Sequence, residues 1–303
     1  MLKLKRLPSL KQLRHLVGVA DFKHFGRAAQ ACFITQSSLS ASIKELESLL
    51  GKVLIERTRR TVMLTPLGKD VVDRSRKILN DVGQIVDLVE ASGPPLSGPL
   101  RLGVIPTIGP FALPRILPSL RKSYPNLKLF LREDQSARLI EGINAGELDL
   151  ILLAFPYPTP GLETHLIGKD PFLAAFPQGH RFEAMEHLRG ADLEGEELLL
   201  LEEGHCLRDQ AMSACRLAGE IASAEFQATS LHTLAQMVDN GLGLTLFPQM
   251  AVDAGVSKAT KIKMRPIEGK GFFRKIGFAW RPASPRKEEF ILLADFFHER
   301  LGL

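Results

Sequence analysis

Between residues 91 and 99 the chain reads Ala-Ser-Gly-Pro-Pro-Leu-Ser-Gly-Pro, and no helix or central strand can cross that run. Three prolines remove backbone donors and two glycines add conformational freedom, so the segment reads as a linker between separately folded parts. A chain of 303 residues has room for about two domains. The two sides of the linker also differ in charge. Residues 1–65 carry twelve Lys and Arg against four Asp and Glu, a net +8, whereas the remaining residues carry 27 basic and 30 acidic groups, a net −3. A basic front on a slightly acidic body is the balance of a nucleic-acid-binding module joined to something else, or more plainly of a solvated basic face.

The basic part has helical periodicity. Ser9 is placed to cap a helix with Leu10, Leu13, Leu16, Val17 and Ala20 at three-to-four spacing. A second short helix is expected over 25–32 and a third over 36–50, capped by Thr35, with Leu39, Ile43, Leu46, Leu49 and Leu50 inward and Gly51 as its stop. Residues 53–55 and 61–64 are β-prone and flank Glu56-Arg-Thr-Arg-Arg60, a hairpin with a basic tip. Two short helices, a tight turn and a basic wing outline a winged helix-turn-helix over 1–65, whose second helix would enter a DNA major groove. Its polar positions Gln36, Ser37, Ser38, Ser40, Ser42 and Lys44 suit phosphates and base edges, and Arg27, Thr35, Arg57, Arg59 and Arg60 complete the candidate DNA-binding set. The competing interpretation is a three-helix bundle with a polar face.

Thr65-Pro66 opens a further helix over 66–92, where Val71, Ser75, Ile78, Val82, Ile85 and Val89 form a seam that asks for a partner helix. After a hinge at 93–99, strand and helix patterns alternate: strands over 100–105, 127–131 and 149–155 with helices over 111–123 and 136–145. Further segments follow up to a last helix over 288–301. This predicts a parallel α/β sheet and a two-lobed effector domain over 100–303, of periplasmic-binding-protein-like architecture. One lobe is expected at about 100–168 with 282–303 and the other at about 169–281, with a cleft between them.

Composition narrows the functional classes. The longest apolar run, Leu150 to Phe155, is far short of the ~18 residues that cross a bilayer, and the charged start has no apolar segment behind it. Three cysteines cannot build a secreted disulfide framework. A cytoplasmic protein without membrane contact is expected, with any disulfide transient or regulatory. No Gly-rich phosphate loop and no Cys-x-x-Cys spacing occurs, so neither a cofactor nor a metal is expected.

Three segments carry a family resemblance: Phe25-Gly-Arg-Ala-Ala-Gln-Ala, Thr35-Gln-Ser-Ser-Leu-Ser-Ala-Ser-Ile-Lys-Glu-Leu-Glu and Leu64-Thr-Pro-Leu-Gly68. Together they resemble the DNA-binding segment of LysR-type transcriptional regulators, and the linker helix and two-lobed domain fit the same family. Residues 201–215, Leu-Glu-Glu-Gly-His-Cys-Leu-Arg-Asp-Gln-Ala-Met-Ser-Ala-Cys, are similar to the redox segment of its hydrogen-peroxide-sensing branch. Gly103-Val-Ile-Pro-Thr-Ile-Gly-Pro, Ala228-Thr-Ser-Leu and Gly243-Leu-Thr-Leu-Phe-Pro are similar to that branch as well. The resemblance implies a homotetramer built as a dimer of dimers, promoter DNA and RNA polymerase as partners, hydrogen peroxide as signal, and activation of antioxidant genes.

It also implies roles for single residues. Cys206 would react with the oxidant and Cys215 would resolve it; Thr107, Ser136, Gly204, His205, Asp209 and Arg274 would form the pocket, Asp209 organising the arginine. Ser136 stands where relatives can carry a threonine. From the residues themselves, Cys206 opens a predicted helix, close to its positive end, with His205 and Arg208 adjacent, and these features favour a thiolate. Peroxide converts a thiolate to a sulfenic acid, which a second thiol captures. Nine residues of helix separate the two sulfurs by ~13.5 Å along the axis, while a disulfide needs Cα atoms within ~7 Å. Closing the bond would therefore require the helix to unwind. Cys32 reads as core packing. The alternatives are a LysR-type regulator answering to a small metabolite in the cleft, and a thiol peroxidase, which would leave the basic module without a use.

Overall fold

The computed structural model describes residues 7–57, 62–90, 94–216, 222–269 and 271–303. The chain divides into two compact units, residues 1–92 with 144–147 and residues 93–143 with 148–303.

In the first unit, α1 (Leu10–Phe22), α2 (Phe25–Ala31) and α3 (Gln36–Leu50) precede a hairpin of β1 (Ile55–Arg57) and β2 (Val62–Leu64), and α4 (Pro66–Glu90) follows. The caps anticipated from sequence are present: Ser9 accepts from the Gln12 amide, Thr35 from the Ser38 amide, and Gly51 ends α3 in the left-handed region. Leu16, Val19, Phe25, Ala28, Leu39, Ile43, Leu46 and Leu54 form the core. Leu10 and Leu50, expected inward, are instead 45% and 40% exposed. Both lie in terminal turns, where the periodic stripe runs past the end of the core. Ser42, expected at the polar face, is half-buried, and its hydroxyl is 2.8 Å from His15 Nδ1 on α1.

The Leu64-Thr-Pro-Leu-Gly68 motif ties the wing to α4. The Thr65 amide donates to Leu54 O (3.0 Å), Thr65 Oγ1 accepts from the Gly68 amide (2.9 Å), and a Cβ at Gly68 would lie 2.1 Å from Leu54 O. Only glycine fits that approach. On α4, Ser75 is buried, donating to Val71 O, while Ile78 and Ile85 are 44% and 62% exposed on the seam.

The second unit contains β3 (Gly98–Val104), α5 (Gly109–Ser123), β4 (Leu127–Glu133), α6 (Ser136–Ala145), β5 (Leu150–Phe155) and β6 (Glu163–Phe176). These are followed by β7 (Leu188–Arg189), β8 (Glu197–Leu201), α7 (Cys206–Arg216), β9 (Ala222–Ala228), α8 (Leu231–Asp239) and β10 (Thr245–Pro248). The unit closes with α9 (Gln249–Asp253), β11 (Lys263–Glu268), β12 (Phe273–Trp280) and α10 (Lys287–Leu301). The main sheet runs β4-β3-β5-β12-β6-β11-β7, with β10 also pairing β6. It is mixed rather than parallel as expected: β3, β4 and β5 are parallel, but β12 runs antiparallel to both β5 and β6. The reason is topological. The chain leaves the first lobe along β6 and returns along β12, so the two crossover strands run in opposite directions. Their cross-strand register sets Arg274 opposite Asp170.

Candidate functional site

Cys206 is the first residue of α7 and Cys215 lies in its last turn, both inside one helix, both thiols free and buried. The helix is the one the sequence predicted, so the ~13.5 Å axial separation holds in this structure.

Around Cys206 the second unit assembles a polar site from distant parts of the chain. Arg274 on β12 is fully buried and meets Asp170 on β6, with Nε 3.0 Å and Nη2 2.9 Å from the same carboxylate oxygen. The other carboxylate oxygen accepts from the Met250 amide at 2.9 Å. Arg274 Nη1 donates to Thr107 Oγ1 (2.8 Å) and Nη2 to Thr107 O (2.9 Å). The Thr107 hydroxyl thus accepts from the guanidinium and keeps its own proton for another acceptor. Ser136 opens α6 and is 1% exposed; among the described residues its hydroxyl has no nitrogen or oxygen partner, and it acts on the Cys206 thiol.

Burial is the largest influence on the Cys206 thiol and pushes it above the ordinary cysteine range. Arg274, the Ser136 hydroxyl and the Ala154 backbone oppose that rise, and Asp209 adds to it. The thiolate character expected from sequence is therefore not the resting state, because desolvation outweighs the charges. Neither neighbour expected to favour the thiolate is seen to do so. Arg208 donates to Leu201 O at 3.1 Å, and burial lowers the pKa of His205, which favours its neutral form. Asp209 does not organise the arginine. It is exposed, and Asp170 holds Arg274 instead. Among the described residues only burial acts on Cys215, and its thiol is pushed up to about 11.

The crevice beside Cys206 is lined by Ile105, Pro106, Thr107, Gln135, Ser136, Gly204, His205 and Cys206. It encloses about 160 Å3 between atoms, with no point far enough from its walls to centre a water molecule. A separate cavity of about 610 Å3 runs along the flank of α7, between Gln210 and Ala214 on the helix and Phe155, Leu166, Phe273 and Lys275 on the sheet. Asp170 and Gln135 were missed in the sequence. Asp170 has no local signal, since its partner is 104 residues away on the neighbouring strand. Among the described residues no group of three His, Cys, Asp or Glu could hold a metal ion, and no helix is long and apolar enough to cross a membrane.

In the first unit, α3 presents Gln36, Ser37, Ser38 and Lys44 as exposed residues and Ser40 as half-buried. The Thr35 hydroxyl is engaged with Ser37 and Ser38, and Arg27, on the exposed side of α2, donates to Phe22 O at 3.3 Å. Arg57 is the last residue of β1, and Arg59 and Arg60 lie outside the described residues. Cys32 closes α2 and is 8% exposed, in keeping with a packing role.

Residues 10–69 match the bacterial regulatory helix-turn-helix protein, lysR family, and residues 94–302 match the LysR substrate binding domain. The chain is 39% identical over 298 residues to the DNA-binding transcriptional dual regulator OxyR of Escherichia coli K12, covering 97% of this chain and 96% of that protein. A full-length OxyR variant from Pseudomonas aeruginosa has a similar structure, with a TM-score of 0.78 at 34% identity over 97% of this chain and 95% of that one. A hydrogen-peroxide-bound cysteine-to-serine mutant of Corynebacterium glutamicum OxyR matches at a TM-score of 0.66 and 33% identity, covering 98% and 96%.

Proposed function

The chain belongs to the LysR family of bacterial helix-turn-helix regulators, and on that premise we propose that it is a transcriptional activator switched by hydrogen peroxide. The observation that carries this reading is the furnishing of one buried sulfur. Cys206 lies in the field of a buried guanidinium and beside a hydroxyl with no other partner among the described residues, and a second thiol waits at the far end of its helix.

In the first step the Cys206 sulfur attacks one peroxide oxygen. A new S–O bond forms, the O–O bond breaks, and the departing oxygen leaves as water after taking up the thiol proton. Thr107 and Arg274 are the donors suited to the charge on the departing oxygen. In the second step the Cys215 thiol displaces water from the sulfenic acid and the disulfide forms. Since both cysteines sit in α7, that step requires α7 to unwind, and this links the chemistry to a change in protein conformation.

The exposed polar residues of α3 and the basic wing serve promoter DNA, with Arg27, Thr35, Gln36, Ser37, Ser38, Ser40, Lys44, Arg57, Arg59 and Arg60 as the contacting set. The exposed Ile78 and Ile85 supply a seam for pairing two copies, consistent with a dimer of dimers. A cytoplasmic location, contact with RNA polymerase and the absence of catalytic turnover belong to the same reading.

The test is thiol mass spectrometry on the reduced protein and on Cys215→Ser after micromolar peroxide. A Cys206–Cys215 disulfide in the first and a trapped sulfenic acid at Cys206 in the second are expected. Untouched cysteines would overturn the reading. They would favour a metabolite-responsive regulator instead, for which the 610 Å3 cavity beside α7 is the structural argument.

A further inference from the structure

We propose that the Gln135 side chain is the gate of the Cys206 crevice and selects small hydroperoxides over bulky ones; this rests on the peroxide-sensing reading above. The crevice as it stands cannot take a water molecule, so an oxidant enters only if a wall gives way. Most of its walls cannot move alone. Thr107 is tied to the fully buried Arg274 through both its hydroxyl and its carbonyl. Ile105, Ser136 and His205 are buried, Pro106 is a rigid ring, and Gly204 has no side chain to swing.

Gln135 differs from all of them. Its backbone is fixed at the start of α6, where its amide donates to Asp134 Oδ1 (2.9 Å) and its carbonyl accepts from Leu139 N (3.0 Å). Its side chain is half-buried and reaches from this lobe over the Gly204 turn of the other. The only hydrogen bond of the side-chain amide among the described residues, from Nε2 to Glu203 O, is 3.5 Å long, at the limit of what such a bond can be. Gly204 sits at φ +92°, and a Cβ there would lie 2.7 Å from Gln135 Oε1. The turn thus makes room for the glutamine head, which lies beside it at the rim of the crevice. The result is a firmly anchored stem with a weakly held tip. Rotamer changes of such side chains take picoseconds to nanoseconds, so brief openings cost little. Hydrogen peroxide needs only such an opening, whereas an aryl-alkyl hydroperoxide needs the side chain displaced for as long as it is bound.

The experiment measures sulfenic acid formation at Cys206 in a Cys215→Ser background, with hydrogen peroxide and with cumene hydroperoxide, in otherwise native protein and in Q135A, Q135S and Q135L. The quantity read is the ratio of the two rate constants. Truncation in Q135A and Q135S is expected to lower the preference for hydrogen peroxide at least tenfold. Q135L keeps the bulk without the amide and is expected to stay within threefold of the parent. A ratio within threefold of the parent in both truncated variants overturns the gate, as does Q135L behaving like Q135A, because the barrier would then not be the bulk of the side chain. If the parent protein forms no sulfenic acid with hydrogen peroxide, the peroxide-sensing reading itself fails and takes the gate with it. A reactive parent with an unchanged ratio removes the gate alone.

Discussion

The two ends of α7 hold one cysteine each at nearly the same depth, 3% and 2% exposed, in different surroundings. At the N-terminal end burial raises the thiol pKa, but Arg274, Ser136 and the Ala154 backbone work against it. At the C-terminal end nothing among the described residues opposes burial and the thiol rises to about 11. Depth alone thus silences both sulfurs, and only one end has groups able to reverse that. On the proposed reading the difference sets an order of events: the furnished sulfur would meet the oxidant first, and the unfurnished one would become a nucleophile after the helix has opened and returned it to water.

The largest effect expected on this contrast comes from Arg274→Met. It strips the polar end of its cation and leaves the Asp170 carboxylate buried with only the Met250 amide. Breaking a buried pair in this way costs about 3–5 kcal/mol, to be read from denaturant unfolding. Adding Asp170→Leu should recover stability without recovering peroxide reactivity. An Arg274→Met protein that still reacts as fast as the parent would break the comparison.

Next in size is a pH effect at the other end. Burial pushes the Cys215 thiol up to about 11 in the folded state against 9.0 for a solvated thiol, so the folded state favours the protonated form. Its contribution to stability is complete below pH 9 and is lost as pH rises through 11, about 2–3 kcal/mol in all. The gap in unfolding free energy between parent and Cys215→Ala should accordingly shrink between pH 8 and pH 10.5. Cys206 is shifted in the same direction and adds to the pH dependence of both proteins. A gap that does not move with pH would mean that Cys215 is not desolvated.

Ser136→Ala removes the hydroxyl beside the Cys206 sulfur. A hydrogen bond to a charged group contributes about 1.5–3 kcal/mol, so oxidation of Cys206 should slow roughly tenfold or more, with stability little changed. The smallest effect sharpens the middle of the helix. Ser213 is exposed within α7, and Ser213→Gly weakens the helix by about 0.5 kcal/mol. Disulfide closure should then quicken about twofold in stopped-flow traces, while sulfenic acid formation keeps its rate.

Legibility in the sequence follows the distance over which each feature is built. Ser9, Thr35 and Gly51 could be placed from neighbours three or four residues away, and the structure caps α1 and α3 with them. The Thr107–Arg274–Asp170 cluster joins residues up to 167 positions apart, and its geometry depends on the register of two antiparallel crossover strands that no local pattern announces. The family resemblance points to Arg274 and Thr107 and gives the arginine to Asp209, whereas the strand register gives it Asp170. The direction of the Cys206 shift was illegible for the same reason: adjacent cations are visible in the sequence, and the burial that outweighs them is not.

Glu47 of α3 reaches the hairpin, where its Oε1 accepts from the amides of Leu54 and Ile55 at 2.8 and 3.1 Å. The helix that would read bases and the foot of the hairpin are thereby pinned together, like the type and the body of a printing block. A block of that kind cannot be persuaded to print a different letter by a signal arriving from afar. In the proposed assembly of several copies, what the signal can alter is the interval between one impression and the next. Footprints of the reduced and oxidised protein should then differ in the spacing of the protected patches, and the base preference within each patch should stay the same.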